Sequence, residues 1–488
     1  MLAANPDVRY EAMRQSWLLC LIAWIAPVVS VSAADAPHYQ LQLAESGASV
    51  DVRLCLAQAH ATVNFAADSK DALRYLSAVQ RERDAPLSAG ETGWEAQNWR
   101  AGECLNYRVD LDAIAQANDS DVGWRLGDDR VSAPQLLMLR PDAQADAAAT
   151  QTAKLPPGWN LSAPWTKLPS SHRDLEFRVP ATPPSWSANI AFGHFAEDRI
   201  GLPGGVLRVT VLHGADAAQR ATLMAWIDRV AHAVLTAYGR MPLADVQVLV
   251  IPVNPRRKSA VLFGQSVRGQ GNSLQLLVNA QRPASEFADD WMAVHELSHL
   301  MHPYLGDRGA WLSEGLATYY QNVLRARGGI YTPAQAWQEL GDGFRGAAAH
   351  TSDETLEHAA QMMHRTHGFR RVYWSGAAFW LTIDRDLRRA SGGKQGLDTV
   401  LESFRDCCLP AYREWAPEEF IARLDALART ELISQRYREF AAARTFPDWQ
   451  SVFADLGIEL KGDAVNFDAR ARDAGLRDAI MRAPPPSP

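Results

Sequence analysis

The chain has 488 residues, which argues for two or three domains rather than one. Hydrophobic residues at 47% and charged residues at 22% lie in the ordinary range of a globular protein. The formal charge of −7 argues against a general nucleic-acid binder, and 16 tryptophans suit large buried surfaces.

The first residues read as a targeting segment. Arg9 and Arg14 precede an apolar run from Trp17 to Val31, followed by the small residues of "VSAADA". A basic region, a run of about 15 apolar residues and a small-residue exit make a secretory signal over residues 1–33, with cleavage after Ala33 or Ala34. Met13 is the better start for such a signal. The run falls short of the roughly 20 residues that span a bilayer, so no stable membrane insertion is expected after cleavage. Cys20 lies early in the run, unlike a lipoprotein cysteine, and no later segment is apolar enough to span. The expectation is export, to a periplasm or the exterior. Cys55, Cys104, Cys407 and Cys408 then remain, and an even count in an oxidising compartment favours disulfides. Cys55 and Cys104 lie in strand-like sequence and are the candidates to staple one domain. The adjacent Cys407 and Cys408 either bridge or stay free. No CxxC spacing supports a cysteine zinc site.

Residues 38–204 read as β-rich. "HYQLQLAESGASVDVRLCLA" and "CLNYRVDLDAIA" alternate or cluster apolar residues between Gly, Asn and Asp. "KLPPGWNLSAPW" and "VPATPPSW" argue against long helices. A β-sandwich-like domain is expected, with Asp142–Lys154 as a surface loop. Residues 205–330 mix elements: the strand "GVLRVTVLHG", a helix closed by Gly239, the strands "VQVLVIPVN" and "NSLQLLVNA", then two helices. Residues 331–460 read as almost entirely helical. Residues 461–488 read as a tail whose "MRAPPPSP" end is expected to be disordered. The fold class is multi-domain: a β-sandwich-like N-terminal domain, an α+β domain and a C-terminal helical region.

The chemistry concentrates in "VHELSHLMHPYLGDRGAWLSEGLATYY", Val294 to Tyr320. Residues four apart share a helix face, so His295 and His299 aim two imidazoles at one point. Glu296 projects beside them without coordinating and is placed to take a proton from a metal-activated water. Trp291, Val294, Leu297, Leu300 and Met301 supply the apolar faces of this helix, and Pro303 ends it. Three residues compete for the third ligand position: His302, Asp307 and Glu314. A metzincin would need Gly at 302 and His at 305, where this chain has His302 and Leu305, so that class is excluded.

HELSH followed by WLSEGLATYY resembles the gluzincin zinc metallopeptidases, in particular the aminopeptidase N and glycyl aminopeptidase-like families. The resemblance implies a thermolysin-like catalytic domain over 205–330, continued by the helical region. It implies one Zn2+ held by His295, His299 and Glu314, with Glu296 as general base, and leaves His302 as a neighbour of the site. Fourteen residues separate His299 from Glu314, a shorter gap than in typical aminopeptidase N enzymes. "YWSG" resembles the family's Tyr-x-x-Gly element, which assigns Tyr373, with Gly376, to the oxyanion of the tetrahedral intermediate. His358, His364 and His367 are rival donors by composition but read as surface histidines. "FGQSVRGQGNSLQLLVN" resembles the edge strand that carries substrate backbone, which implicates Gly269, Gly271, Asn272 and Ser273 in substrate binding. The departure lies here. The G-A-M-E-N glutamate that holds a free substrate amine has no counterpart, because no acidic residue occurs between Val261 and Gln281. "PDWQSVFADLGIEL" resembles the closing helix of the glycyl aminopeptidase-like catalytic region, and too few residues follow for the PDZ domain often appended to it.

The expectation is therefore an exported zinc metallopeptidase acting on a peptide or protein substrate, with no nucleic-acid partner. The residues do not specify its oligomeric state or exo- against endo-cleavage. A second reading from another class is an envelope binding or structural protein with a vestigial or structural zinc site. A third is a hydrolase of some other bond.

Overall fold

The computed structural model describes residues 36–483, except 68–69, 120–121, 145–146, 171–173, 254–257, 351–352 and 463. The proposed signal, residues 1–33 with Arg9, Arg14 and Cys20, lies outside the described residues, as does the end of the chain from 484.

The N-terminal part is built from sheets. Seven strands pair in one sheet, with His38–Leu43 between Ser49–Cys55 and Ala149–Lys154. Alternation drives this: Val50, Val52 and Leu54 turn inward while their neighbours face out. A four-stranded sheet containing His60–Ala66 and Gly93–Trp99 packs its Val63, Phe65 and Trp99 into the same core. Cys55 faces Cys104 across neighbouring strands, and the two form a disulfide. Cys407 and Cys408 are also bridged to each other, at the end of a helix.

The expected loop at Asp142–Lys154 is partly a strand. Ala149–Lys154 runs parallel to His38–Leu43 and antiparallel to Leu175–Val179, burying Ala149, Gln151 and Ala153. Small and polar residues give little strand signal of their own. Partners on both sides decide the conformation.

A second body holds a five-stranded sheet, of β1 (Glu197–Leu202), β2 (Gly205–Val211), β3 (Asp245–Pro252), β4 (Val261–Val267) and β5 (Ser273–Val278), in the order β1-β2-β3-β5-β4. β2, β3 and β5 are parallel, while β1 and β4 run antiparallel at the two edges. The body thus begins at β1, before the boundary expected at 204, because β1 pairs along its whole length with β2. Val246, Val248 and Val250 of β3 face the helices, among them α1 (Ala217–Leu235), while Leu249 and Ile251 face the N-terminal part. Arg208 on β2 fastens the two parts. It is fully buried, pairs with Glu197 and Asp245, and donates to the carbonyls of Ala163 and Trp165. A buried guanidinium is tolerated only with such complete partnering.

Beyond the sheet come α2 (Met292–Ser298), α3 (Ala310–Arg327) and the long α4 (Phe369–Ser391), followed by further helices. The segment from 461 is not a free tail. Ala464–Phe467 pairs with Ile458–Lys461, and the helix Ala474–Ile480 buries Ile480 against the helical core. Arg327 donates to the Ile480 carbonyl at 2.8 Å, and Arg389 pairs with Asp473. Charged residues obscured this end in the sequence, because their partners lie far away in the chain.

α3 and α4 touch backbone to backbone. A Cβ added at Gly376 would lie 1.8 Å from the Trp311 carbonyl oxygen and 2.7 Å from the Gly315 Cα, and one added at Gly315 would lie 2.3 Å from the Gly376 carbonyl carbon. The two glycines set how closely the helices cross, and so where Glu314 and Tyr373 stand. Gly376→Ala is expected to cost about 1–3 kcal/mol of stability through overpacking, read as a lower urea midpoint. An unchanged midpoint would deny this contact its role.

Candidate metal centre

The site forms where α2 meets α3. α2 runs Met292–Ser298, tightens into a 3-10 turn at His299–Met301, and gives way to extended backbone at His302. His295 and His299 lie on its buried side, at 3% and 7% exposure. Glu314, in the second turn of α3, completes a group of three whose ligand atoms all lie within 4.8 Å of one another. His295 Nε2 is 3.2 Å and His299 Nε2 3.5 Å from the same oxygen, Glu314 Oε2. A tetrahedral ion with ligands at about 2.0–2.1 Å spaces them by about 3.3 Å, so these separations fit such an ion. Asp307 lies exposed on the turn between the helices and takes no part.

Hydrogen bonds behind the two imidazoles decide which nitrogen faces the site. His302 places its Nδ1 2.7 Å from the Pro303 carbonyl, which only accepts, so that nitrogen carries the proton. Burial, with Arg268 and His299 nearby, holds the His302 pKa well below its usual value and keeps the ring neutral. Its bare Nε2 therefore accepts from His299 Nδ1 at 3.1 Å, which leaves the His299 Nε2 lone pair for the centre. His295 Nδ1 donates to Gln321 Oε1 at 2.8 Å, with the same result. Arg268 completes the backing: its Nη2 donates to the carbonyls of His299 and His302. Burial lowers its pKa to about 10, opposed by Glu296, Tyr304 and Glu314.

The charges agree with this arrangement. Burial would raise the Glu314 pKa, but His299 and His295 outweigh it and hold the carboxyl well below its usual range. Burial would lower His295, but Glu314 and Glu296 raise it.

Glu296 stands beside the group, 8% exposed. The Ser266 amide of β4 donates to its Oε2 at 2.8 Å, and Ser266 Oγ donates to its backbone carbonyl at 2.7 Å. Gly264 faces the same helix, where a Cβ would come 2.9 Å from Glu296 Cγ. Tyr373, in the second turn of α4, stacks on His295 with ring centroids 6.0 Å apart and donates to Glu314. Burial, then that carboxylate, raise its pKa, so it remains a neutral donor. Trp291, 41% exposed, sets its ring edge-on to His295. His358, His364 and His367 are exposed, with His364 and His367 against Phe369.

The strand expected to carry substrate is displaced. β5 pairs with β3 on one side and β4 on the other, so Ser273 has no open edge. Asn272 and Ser273 are buried, at 8% and 0%. Gly269 packs against the carbonyls of Trp186 and Ser187, and Gly271, at φ +144°, against the Pro164 carbonyl. Those glycines admit the N-terminal part rather than a ligand. The edge beside Glu296 is β4, residues Val261–Val267.

Gln321, Ser266 and Arg268 escaped the sequence reading. Gln321 carried a usable signal, since it lies seven residues after Glu314 and hence on the same face of α3. Ser266 and Arg268 carried none, because their partners depend on how β4 lies against α2.

No protein-family model matches the sequence, and no curated protein matches it. Solved structures do. An aminopeptidase N family protein from Idiomarina loihiensis aligns over 87% of this chain and 79% of its own, at 14% identity and a TM-score of 0.64. An M1 zinc metallopeptidase from Deinococcus radiodurans aligns over 85% of this chain and 95% of its own, at 16% identity and 0.52. A mutant M1 zinc metallopeptidase from the same organism, bound to a Tyr-Ser-Ala substrate, aligns over the same shares at 15% identity and 0.53. At these identities the likeness is one of fold: a sheet-rich N-terminal part, a second body with a sheet and helices, and a helical C-terminal region.

Replacing His302 with Ala is expected to weaken zinc binding by about 10–100-fold without unfolding the protein, measured by competition with a chromogenic chelator. Equal affinity in the two proteins would show that His302 does not hold His299.

Proposed function

We propose that the chain is a zinc peptidase of the aminopeptidase N-like gluzincin type. One observation carries the reading: His295 Nε2, His299 Nε2 and Glu314 Oε2 converge at ligand spacing, and Glu296 is held beside them by the edge strand. His295, His299 and Glu314 would hold the zinc. When bound, zinc supplies Lewis acidity, which lowers the pKa of a water to about 7 and polarises a carbonyl.

The remaining work falls to side chains of this chain. Glu296 takes a proton from the attacking water and passes it to the leaving amine. The Ser266 amide fixes the orientation of its carboxylate. Tyr373, neutral and seated on His295, donates to the negative charge that develops on the substrate oxygen. An extended peptide would add to the outer edge of β4, which pairs with no other strand among the described residues and borders α2. An intact Glu296 argues against a vestigial or purely structural site, which has no need of a base. A peptide also agrees with the Tyr-Ser-Ala bound by the Deinococcus metallopeptidase.

Export is proposed on the N-terminal pattern. Two disulfides are in keeping with an oxidising compartment. Among the described residues no helix is long and apolar enough to cross a membrane.

Glu296→Gln is expected to keep bound zinc and lose about 10²–10⁴-fold in turnover of a peptide library. Because no acid on β4 stands ready for a free amine, N-acetylated peptides should be cleaved alongside unblocked ones. Full turnover by the metal-loaded variant would overturn the assignment of Glu296, and cleavage confined to unblocked peptides would show that another group holds the amine.

A further inference from the structure

The sheet also has a face turned away from the metal centre. Opposite the metal helices, between the sheet and the N-terminal part, lies a cavity of about 1070 Å³. That is the size of a site for a small ligand or a short peptide. β4 and β5 form one wall through Phe263, Gln265, Gln275 and Leu277, and the N-terminal part supplies Trp124 and Asn189. Glu296 and the three ligand residues of the centre do not line it.

Two wall residues carry an unmet demand. Asn189 Nδ2 donates to Gln275 Oε1 at 2.9 Å, which links the N-terminal part to the sheet. The other halves of the two amides, Asn189 Oδ1 and Gln275 Nε2, are buried and have no partner among the described residues. Each residue is only 6% exposed. A buried polar atom left unpaired costs about 1–3 kcal/mol, which an occupant able to pair with it would offset. Both residues line the cavity, and the broad terminal torsions of Asn and Gln let either amide rotate toward an occupant.

The pair defines that occupant. It offers one acceptor and one donor, both neutral. A carboxylate would satisfy Gln275 and repel the Asn189 oxygen, and an ammonium would do the reverse. A neutral amide, with its own N–H and C=O, satisfies both. The aromatic surfaces of Trp124 and Phe263 suit an apolar side chain beside that amide.

We propose that this cavity is a second binding site, distinct from the metal centre, for a short peptide segment held through a backbone amide by Asn189 and Gln275. The proposal does not depend on the peptidase reading. The site shares β4 with the metal centre: Gln265 faces the cavity, while the Ser266 amide holds Glu296.

The test uses N-acetyl-leucinamide, a neutral diamide with one apolar side chain, titrated into full-length protein stripped of metal by a chelator and followed by calorimetry. Saturable one-to-one binding is expected without metal, at least tenfold weaker in the N189L/Q275L double variant. N-acetyl-leucine methyl ester, which lacks one amide, should bind more weakly to the parent protein. Leu277→Trp, which fills the cavity from β5, should block binding and guards against a double variant that fails to fold. Absence of binding, binding that needs the metal, or equal affinity in the parent and cavity variants would overturn the proposal. Failure here with peptide cleavage intact would refute only the second site.

Discussion

Everything at the centre depends on one constraint: the Nδ1 atoms of both imidazoles are already engaged. Gln321 occupies that of His295, and neutral His302 that of His299. Each ring then has a single lone pair left, on Nε2, and both point at Glu314 Oε2. An imidazole free to turn would present either nitrogen and lose entropy on binding an ion. Here that ordering is built into the fold.

The constraint is carried outward by backbone rather than by large side chains. Gly315 and Gly376 let α3 and α4 meet at contact distance, which brings Glu314 from one helix and Tyr373 from the other to the same imidazole. Ser266 ties the edge of the sheet to Glu296, and Arg268, the residue after that strand, ties it to the end of α2. β4 is thus the element to which Glu296 and the end of α2 are both tied. On the other side of the sheet, Arg208 joins the two halves of the molecule with all its charge matched.

The sequence exposes whatever is local. The spacing of His295, Glu296 and His299 requires only one turn of helix, and the alternation around Val50 and Val52 requires only one strand. Glu314 could not be chosen from spacing over His302 or Asp307, and only a resemblance favoured it. His302 was legible as a neighbour but not as the group that sets the tautomer of His299. That role arises because the helix ends at Met301 and turns the ring back behind its neighbour. Gly269–Ser273 read as a substrate edge because glycines signal close approach without saying to what. In the folded chain they approach Trp186, Ser187 and Pro164. Ala149–Lys154 and the hairpin and helix after 461 were illegible for a related reason, since their partners are remote in the chain.

The most direct test of the account is a zinc-edge X-ray absorption spectrum of the purified, metal-loaded protein, beside His302→Ala and Glu314→Gln variants. The account predicts one zinc per chain, two imidazole nitrogens at about 2.0–2.1 Å, oxygen ligands completing the shell, and a changed oxygen shell in the Glu314 variant. A spectrum with sulfur ligands, or with one imidazole, or one unaltered by Glu314→Gln, would contradict it.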